Sequence, residues 1–77
     1  MGLIFYTRED CSLCDKAWKL ITLGGLSDRI EVVNIDSDLD LIQRYGEQVP
    51  VILNDETGEK LTWPFTASQV RELAGVD

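Results

Sequence analysis

Cys11 and Cys14 are the two cysteines of this 77-residue chain. A pair at this spacing can close a disulfide, supply half of a metal site, or act as a dithiol that exchanges disulfides. Exchange needs an environment that favours the thiolate, because the thiolate is the nucleophile. It also needs one accessible sulfur, which attacks a substrate disulfide, and one shielded sulfur, which resolves the mixed disulfide.

The position of the pair in the chain favours the dithiol. Cys11 follows a predicted strand and opens a predicted helix, where unpaired amide hydrogens and the helix dipole stabilise an anion. Cys14 lies one turn further, on the inner face of that helix, and is predicted to be more buried. We therefore expect Cys11 to attack and Cys14 to resolve. Arg8 would favour the Cys11 thiolate, and three nearby carboxylates oppose it, those of Glu9, Asp10 and Asp15.

Three other roles for the cysteines stay open. Zinc needs four ligands, and the chain has two cysteines and no histidine, so carboxylates or a second subunit would have to complete the set. An iron-sulfur cluster shared by two chains meets the same shortage of ligands. A buried structural pair is the third possibility, because cysteine is also an ordinary small core residue. No metal site is predicted.

The surrounding pattern predicts four strands and three helices. The strands are residues 3–6, 30–35, 49–53 and 59–62, the first of them apolar throughout and so predicted to be central. The first helix begins at about the cysteines and ends at Gly24-Gly25. Ser37 is predicted to cap the second helix and Gly46 to end it in a left-handed conformation. Thr66 begins a capping box for the last helix.

These elements follow one another in the order β-α-β-α-β-β-α, which predicts an α/β fold. A helical crossover makes the first two strands parallel, and the turn at residues 54–58 makes the last two antiparallel. The expected architecture is a mixed four-stranded sheet with three helices. One domain over residues 1–77 fits this length.

Charge and hydropathy restrict the partners. Fourteen acidic and seven basic residues give a net charge of −7, and the basic residues are scattered, so nucleic acid is not expected as a partner. No apolar stretch approaches the roughly 20 residues of a membrane span. The amino terminus lacks a signal-peptide pattern, so the chain is predicted to be cytoplasmic. Disulfides are rare there, which favours catalysis, redox sensing or metal binding over a structural disulfide. A monomer is expected.

Several short motifs together resemble one family. They are Tyr6-Thr7-Arg8, Cys11-Ser12-Leu13-Cys14-Asp15, Tyr45-Gly46 with Val49-Pro50-Val51, and Trp63-Pro64-Phe65. The chain from about Leu3 to Leu73 is similar to the small glutaredoxin-like family of the thioredoxin superfamily. The resemblance implies a thioredoxin-like fold, thiol-disulfide oxidoreductase activity and no bound cofactor. It also implies that Pro50 is cis and faces the dithiol, leaving the Val49 backbone to pair with an extended substrate.

The chain departs from the glutathione-using members of that family at two places. Ser12-Leu13 stands where they have a proline-aromatic pair, and Trp63-Pro64-Phe65 with Thr66 stands near the place of a Gly-Gly acidic stretch. Arg8 is the nearest cation for the glycine carboxylate of glutathione, and the N-terminus of the last helix at Thr66 could receive a carboxylate. Protein or peptide disulfides are nevertheless predicted to be better substrates than glutathione, with a thiol as reductant. The alternative function is a binding or redox-sensing module without catalysis.

Overall fold

A four-stranded sheet in the order β2-β1-β3-β4 organises residues 2–75, the part of the chain that the structure, a computed structural model, describes. The strands are β1 (Leu3–Thr7), β2 (Ile30–Asn34), β3 (Val51–Asn54) and β4 (Lys60–Thr62). The helices are α1 (Ser12–Leu23), α2 (Leu39–Tyr45) and α3 (Ala67–Ala74). The predicted class and the predicted order of elements are confirmed.

Strand β1 lies inside the sheet, as its continuous apolar run predicts. It pairs in parallel with β2, in a register that places Thr7 beside Asn34. It pairs antiparallel with β3, and β4 forms the far edge. The carboxyl ends of β1 and β2 therefore meet at one end of the sheet. The segment that leads to Cys11 starts at that end.

Alternation along β1 and β3 divides the core between the two faces of the sheet. Phe5 and Ile52 point to one face, where they join the buried residues of α1 and α3. Tyr6 and Val51 point to the other face and join the buried Tyr45 of α2. Each face of the sheet is thus covered by helices.

The beginning and end of α2 differ from the prediction. Asp38 caps the helix in place of Ser37, and its carboxylate accepts the N–H groups of Asp40 and Leu41. Residues Ile35–Ser37 form a turn of 3₁₀ helix, so β2 ends one residue earlier than predicted. The Ser37 hydroxyl is used within this turn, where it donates to the Asn34 carbonyl, and the cap passes to Asp38.

Gly46 is right-handed, with φ of −53°, and the predicted left-handed cap is wrong. Its N–H still donates to the Ile42 carbonyl, which continues the helical pattern for one more residue. A Cβ at this position would clash with the Ile42 carbonyl oxygen. Glycine therefore serves close backbone approach here and not a positive φ.

The turns at the carboxyl-terminal end agree with the prediction. The Asn54 side chain accepts the N–H groups of Glu56 and Thr57, and Gly58 has the positive φ of 80° that closes the turn. Thr66 and Gln69 form the predicted capping box. Strand β3 begins at Val51, two residues after the predicted start.

Within residues 2–75, no helix is both long and apolar enough to cross a bilayer.

Candidate redox site

Cys11 occupies the N-cap of α1, with extended backbone angles before the first helical residue. Its sulfur accepts the Cys14 N–H at 3.1 Å, so it satisfies one of the donors that every helix start leaves unpaired. Asp10, just before it, has a φ of 55°, a left-handed conformation that aspartate tolerates better than most residues. This turn delivers the Cys11 sulfur to the start of the helix.

Cys11 and Cys14 are joined by a disulfide, with their Cα atoms 5.2 Å apart. The two sulfurs differ in their surroundings. Cys14 is 2% exposed and belongs to the core cluster on the α1 and α3 face, whereas Cys11 is half-buried. An incoming thiol can therefore reach the bond more readily at Cys11, which suits the predicted roles of attacker and resolver.

The Val49–Pro50 peptide bond is cis, as the family resemblance implies. Pro50 is buried, and its carbonyl accepts the Trp63 N–H at 3.3 Å. The Val49 N–H donates to the Tyr45 carbonyl at 3.0 Å, so this donor is already used inside the protein. Any backbone pairing of Val49 with a substrate would use its carbonyl. The Trp63–Pro64 bond is also cis, which the sequence did not predict.

The Arg8 side chain is held by other residues. Its Nε donates to the Asp36 carboxylate at 2.8 Å, and one terminal nitrogen donates to the Gly46 carbonyl at 3.4 Å. The Asp36 carboxylate also accepts the Glu9 N–H at 3.2 Å. One acidic side chain thus occupies two donors of the segment that leads to Cys11. Stabilisation of a thiolate or binding of a carboxylate by Arg8 stays a prediction.

Thr66, the other predicted receptor for a carboxylate, is occupied by its own capping box. Its hydroxyl accepts the Gln69 N–H at 3.2 Å, and its backbone N–H donates to the Gln69 side chain at 2.8 Å. A ligand would have to displace these bonds or bind at the following residues.

Residues 2–73 match the glutaredoxin-like domain family (DUF836). The chain belongs to this family. The predicted resemblance is confirmed over nearly the whole length, and the Cys11–Cys14 pair gives this glutaredoxin-like domain a thiol-redox role.

Solved structures of two proteins share the fold of this glutaredoxin-like domain. The X-ray structure of Northeast Structural Genomics target protein XcR50 from X. campestris is 35% identical, with a TM-score of 0.81 and 96% of each chain covered. The solution structure of the same target gives 37% identity, a TM-score of 0.79 and coverage of 97% and 94%. Protein Ne2328 from Nitrosomonas europaea is 26% identical, with a TM-score of 0.65 and coverage of 96% and 86%. A search among curated proteins found no match.

Asp36 is the residue at this site that sequence reasoning missed. The signal was present, because Arg8 and Asp36 each follow the carboxyl end of one of two neighbouring parallel strands. Opposite charges at such positions lie at the same edge of the sheet and can pair.

The chemistry available at the glutaredoxin-like site is that of the two sulfurs. No group of three or more His, Cys, Asp and Glu side chains among residues 2–75 is arranged to hold a metal ion. Leu13, between the cysteines, is 43% exposed and presents an apolar side chain beside the disulfide. Trp63 is half-buried and packs edge-on against Phe65, with ring centroids 5.2 Å apart, against the core cluster that contains Cys14.

Proposed function

We propose that this domain is a thiol-disulfide oxidoreductase in which Cys11 attacks and Cys14 resolves. The observation that carries the proposal is the asymmetry of the pair at the start of α1. The half-buried Cys11 sulfur lies at the helix N-cap, and its bonded partner Cys14 is almost completely buried. A helix N-terminus stabilises the thiolate of the first cysteine, and burial limits attack on the second.

The proposed reaction starts from the reduced dithiol. The Cys11 thiolate attacks one sulfur of a substrate disulfide, whose S–S bond breaks, and the other substrate sulfur leaves as a thiolate that takes up a proton. Cys14, as a thiolate, then attacks Cys11 in the mixed disulfide and releases the second substrate thiol. Two electrons pass to the substrate, and the Cys11–Cys14 disulfide forms. An external thiol reductant then restores the dithiol.

Extended protein or peptide disulfides are the proposed substrates. The Val49 carbonyl beside the cis bond offers an acceptor for a substrate backbone, and Leu13 offers apolar contact next to the reactive sulfur. Glutathione finds less support, because the Asp36 carboxylate holds Arg8 and the capping box holds Thr66. A cytoplasmic location and a monomeric state fit this proposal, since cytoplasmic reductants keep such dithiols active.

Reduction of insulin disulfides, with dithiothreitol or glutathione as reductant, tests the proposed activity. Cys11→Ser should abolish turnover, and Cys14→Ser should accumulate a covalent mixed disulfide with substrate, visible by mass spectrometry. Ser12→Ala is the matched control, because Ser12 is exposed on the same helical turn and bears no sulfur. Full activity in both cysteine variants would exclude the dithiol as the reacting group.

A redox sensor is the second candidate, and one observation favours it. Glu9, Asp10 and Asp15 are exposed around Cys11, and their charges oppose the thiolate that fast exchange requires. A sensor needs reversible oxidation without turnover. A protein that forms and loses its disulfide reversibly, yet reduces no substrate under either reductant, would support the sensor and not the enzyme.

Glutathione binding can be measured directly on the reduced protein by chemical-shift titration. We expect small, non-saturating shifts up to millimolar glutathione, because Asp36 and Gln69 already occupy the Arg8 and Thr66 groups. Saturating shifts at Arg8, Val49 and Thr66 would reverse the proposed substrate preference. The Cys11→Ser variant excludes shifts caused by covalent reaction.

A further inference from the structure

A groove between α1 and α3 gathers basic side chains in a protein that is acidic overall. It has a volume of about 490 Å³, and neither cysteine lines it. Three of the seven basic residues of the chain line it, and no acidic residue does. Its lining includes Lys16, Lys19, Leu20, Leu23, Ser68 and Arg71.

The three cations of this groove form no ion pair with another of residues 2–75. Lys16 and Lys19 are three residues apart on α1, which places them on one face of the helix. The Arg71 guanidinium donates to the Gly24 carbonyl at 3.3 Å, and this bond fixes it at the end of α1. The cations therefore follow the groove along both helices.

The groove also exposes apolar surface between the charges. Leu23 is 89% exposed, the largest exposure of any large apolar side chain in residues 2–75. Leu20, one turn before it, is half-buried and packs against the core. Covering an apolar side chain this exposed removes apolar surface from water, and this favours a complex.

The start of α3 adds backbone donors at the same place. The Thr66 hydroxyl accepts the Gln69 N–H. The N–H groups of Ala67 and Ser68 lie in the first turn of α3, where backbone donors have no acceptor within the helix. Both residues line the groove. The positive end of the α3 dipole therefore adds to the charge of the three side chains.

We propose that this groove binds an acidic segment of a partner protein that also carries leucine-like side chains. Carboxylates would pair with Lys16, Lys19 and Arg71, and an apolar side chain of the partner would cover Leu23. A polyphosphate backbone matches less well, because it would leave the leucines uncovered and meet a net charge of −7. The site needs neither cysteine, so it is independent of the redox proposal.

Fluorescence anisotropy with a labelled peptide that alternates Asp or Glu with Leu tests this site. The groove variant is Lys16→Gln/Lys19→Gln/Arg71→Gln. The control variant, Arg29→Gln/Arg44→Gln/Lys60→Gln, removes the same charge from exposed positions outside the groove. We expect saturable binding that the groove variant weakens by roughly tenfold or more, because several ion pairs are lost together, and that the control weakens about twofold or less. Binding should persist in the Cys11→Ser/Cys14→Ser variant and fall with added salt.

Several results would overturn the proposal. Equal loss in the two triple variants would assign the binding to overall charge, and absence of saturable binding at low salt would exclude the site. A second copy of the chain is the other possible occupant, because residues 36–40 combine three aspartates with Leu39, which is 77% exposed. Concentration-dependent self-association in sedimentation, abolished in the groove variant alone, would replace the partner protein with that second copy.

Discussion

The difference between the two sulfurs comes from one turn of helix. The N-cap position leaves Cys11 outside the helical cylinder, and the third helical position turns Cys14 toward the sheet. The same N–H bond that caps the helix, from Cys14 to the Cys11 sulfur, would stabilise a thiolate once the disulfide is reduced. Local backbone geometry thus gives each cysteine a distinct chemical role.

Asp36 is expected to tune the charge next to Cys11. Its ion pair with Arg8 is exposed on both sides, at 37% and 34%, so Asp36→Asn should lower the free energy of unfolding by no more than about 1 kcal/mol. The variant removes the carboxylate charge that neutralises the Arg8 guanidinium, which leaves the positive charge of Arg8 available to an anionic substrate. We expect the KM for a glutathione mixed disulfide to fall several-fold, measured in steady-state assays with that substrate and with a neutral peptide disulfide.

Asp40→Asn is the matched control for this prediction. It removes the same charge from an exposed position on α2, where the carboxylate forms no ion pair with the rest of residues 2–75. A similar fall in KM in both variants would attribute the effect to net charge and not to Arg8.

At the scale of elements, the caps decide where each helix begins and hence where the site lies. The three helices start at side chains that accept N–H groups, from Cys11, Asp38 and Thr66. α3 carries the full capping box and packs its buried Val70 and Ala74 against the core that holds Cys14. Its stability therefore supports the shielded sulfur.

Removal of the α3 cap should destabilise the protein without changing the chemistry of the dithiol. Thr66→Ala leaves the Gln69 N–H unsatisfied, and we expect a loss of about 1 kcal/mol in the free energy of unfolding, measured by urea denaturation. Ser68→Ala is the control, since Ser68 is exposed in the same helix and should change stability little. An equal loss in both variants would mean that the capping box contributes nothing measurable.

In the whole molecule, the sheet separates two apolar cores, one on each face. Burial in one of these cores changes the pKa of the Tyr6 phenol. Tyr6 stacks on Tyr45 with ring centroids 4.6 Å apart, on the face opposite the disulfide. Burial raises the pKa of Tyr6 above its ordinary value, and the neighbouring Tyr45 raises it further. The native state therefore holds the Tyr6 proton more tightly than the unfolded chain does.

This difference predicts a loss of stability at alkaline pH. Burial of neutral Tyr6 contributes to the free energy of unfolding. This contribution is complete below the ordinary pKa of about 10, and it is lost as the pH rises through the higher pKa of Tyr6 in the native state. Tyr6→Phe should remove that part of the decline, so its unfolding free energy should fall less steeply above pH about 10 than that of the wild type. The unfolding free energies of both proteins can be measured by urea denaturation at several pH values. If they fall equally steeply above pH about 10, the prediction is contradicted.

Local patterns in the sequence are sufficient to predict the order of elements, the central position of β1, the hairpin turn and the position of the dithiol at a helix start. These features depend on residues close in the chain: an apolar run, the 3.6-residue period, glycine and asparagine in turns, and capping side chains. The family resemblance carried the cis bond at Pro50, which the structure contains. Periodicity alone would not have predicted it.

The partners of the polar groups depend on how the elements pack together, and the sequence did not predict them. Arg8 meets Asp36 because β1 and β2 end side by side, although 28 residues separate the two in sequence. Likewise the Val49 N–H goes to Tyr45, and the basic groove forms where α1 and α3 come together. The physical reason is that propensity acts through neighbours in the chain, whereas pairing of charges and donors depends on distances that only packing sets.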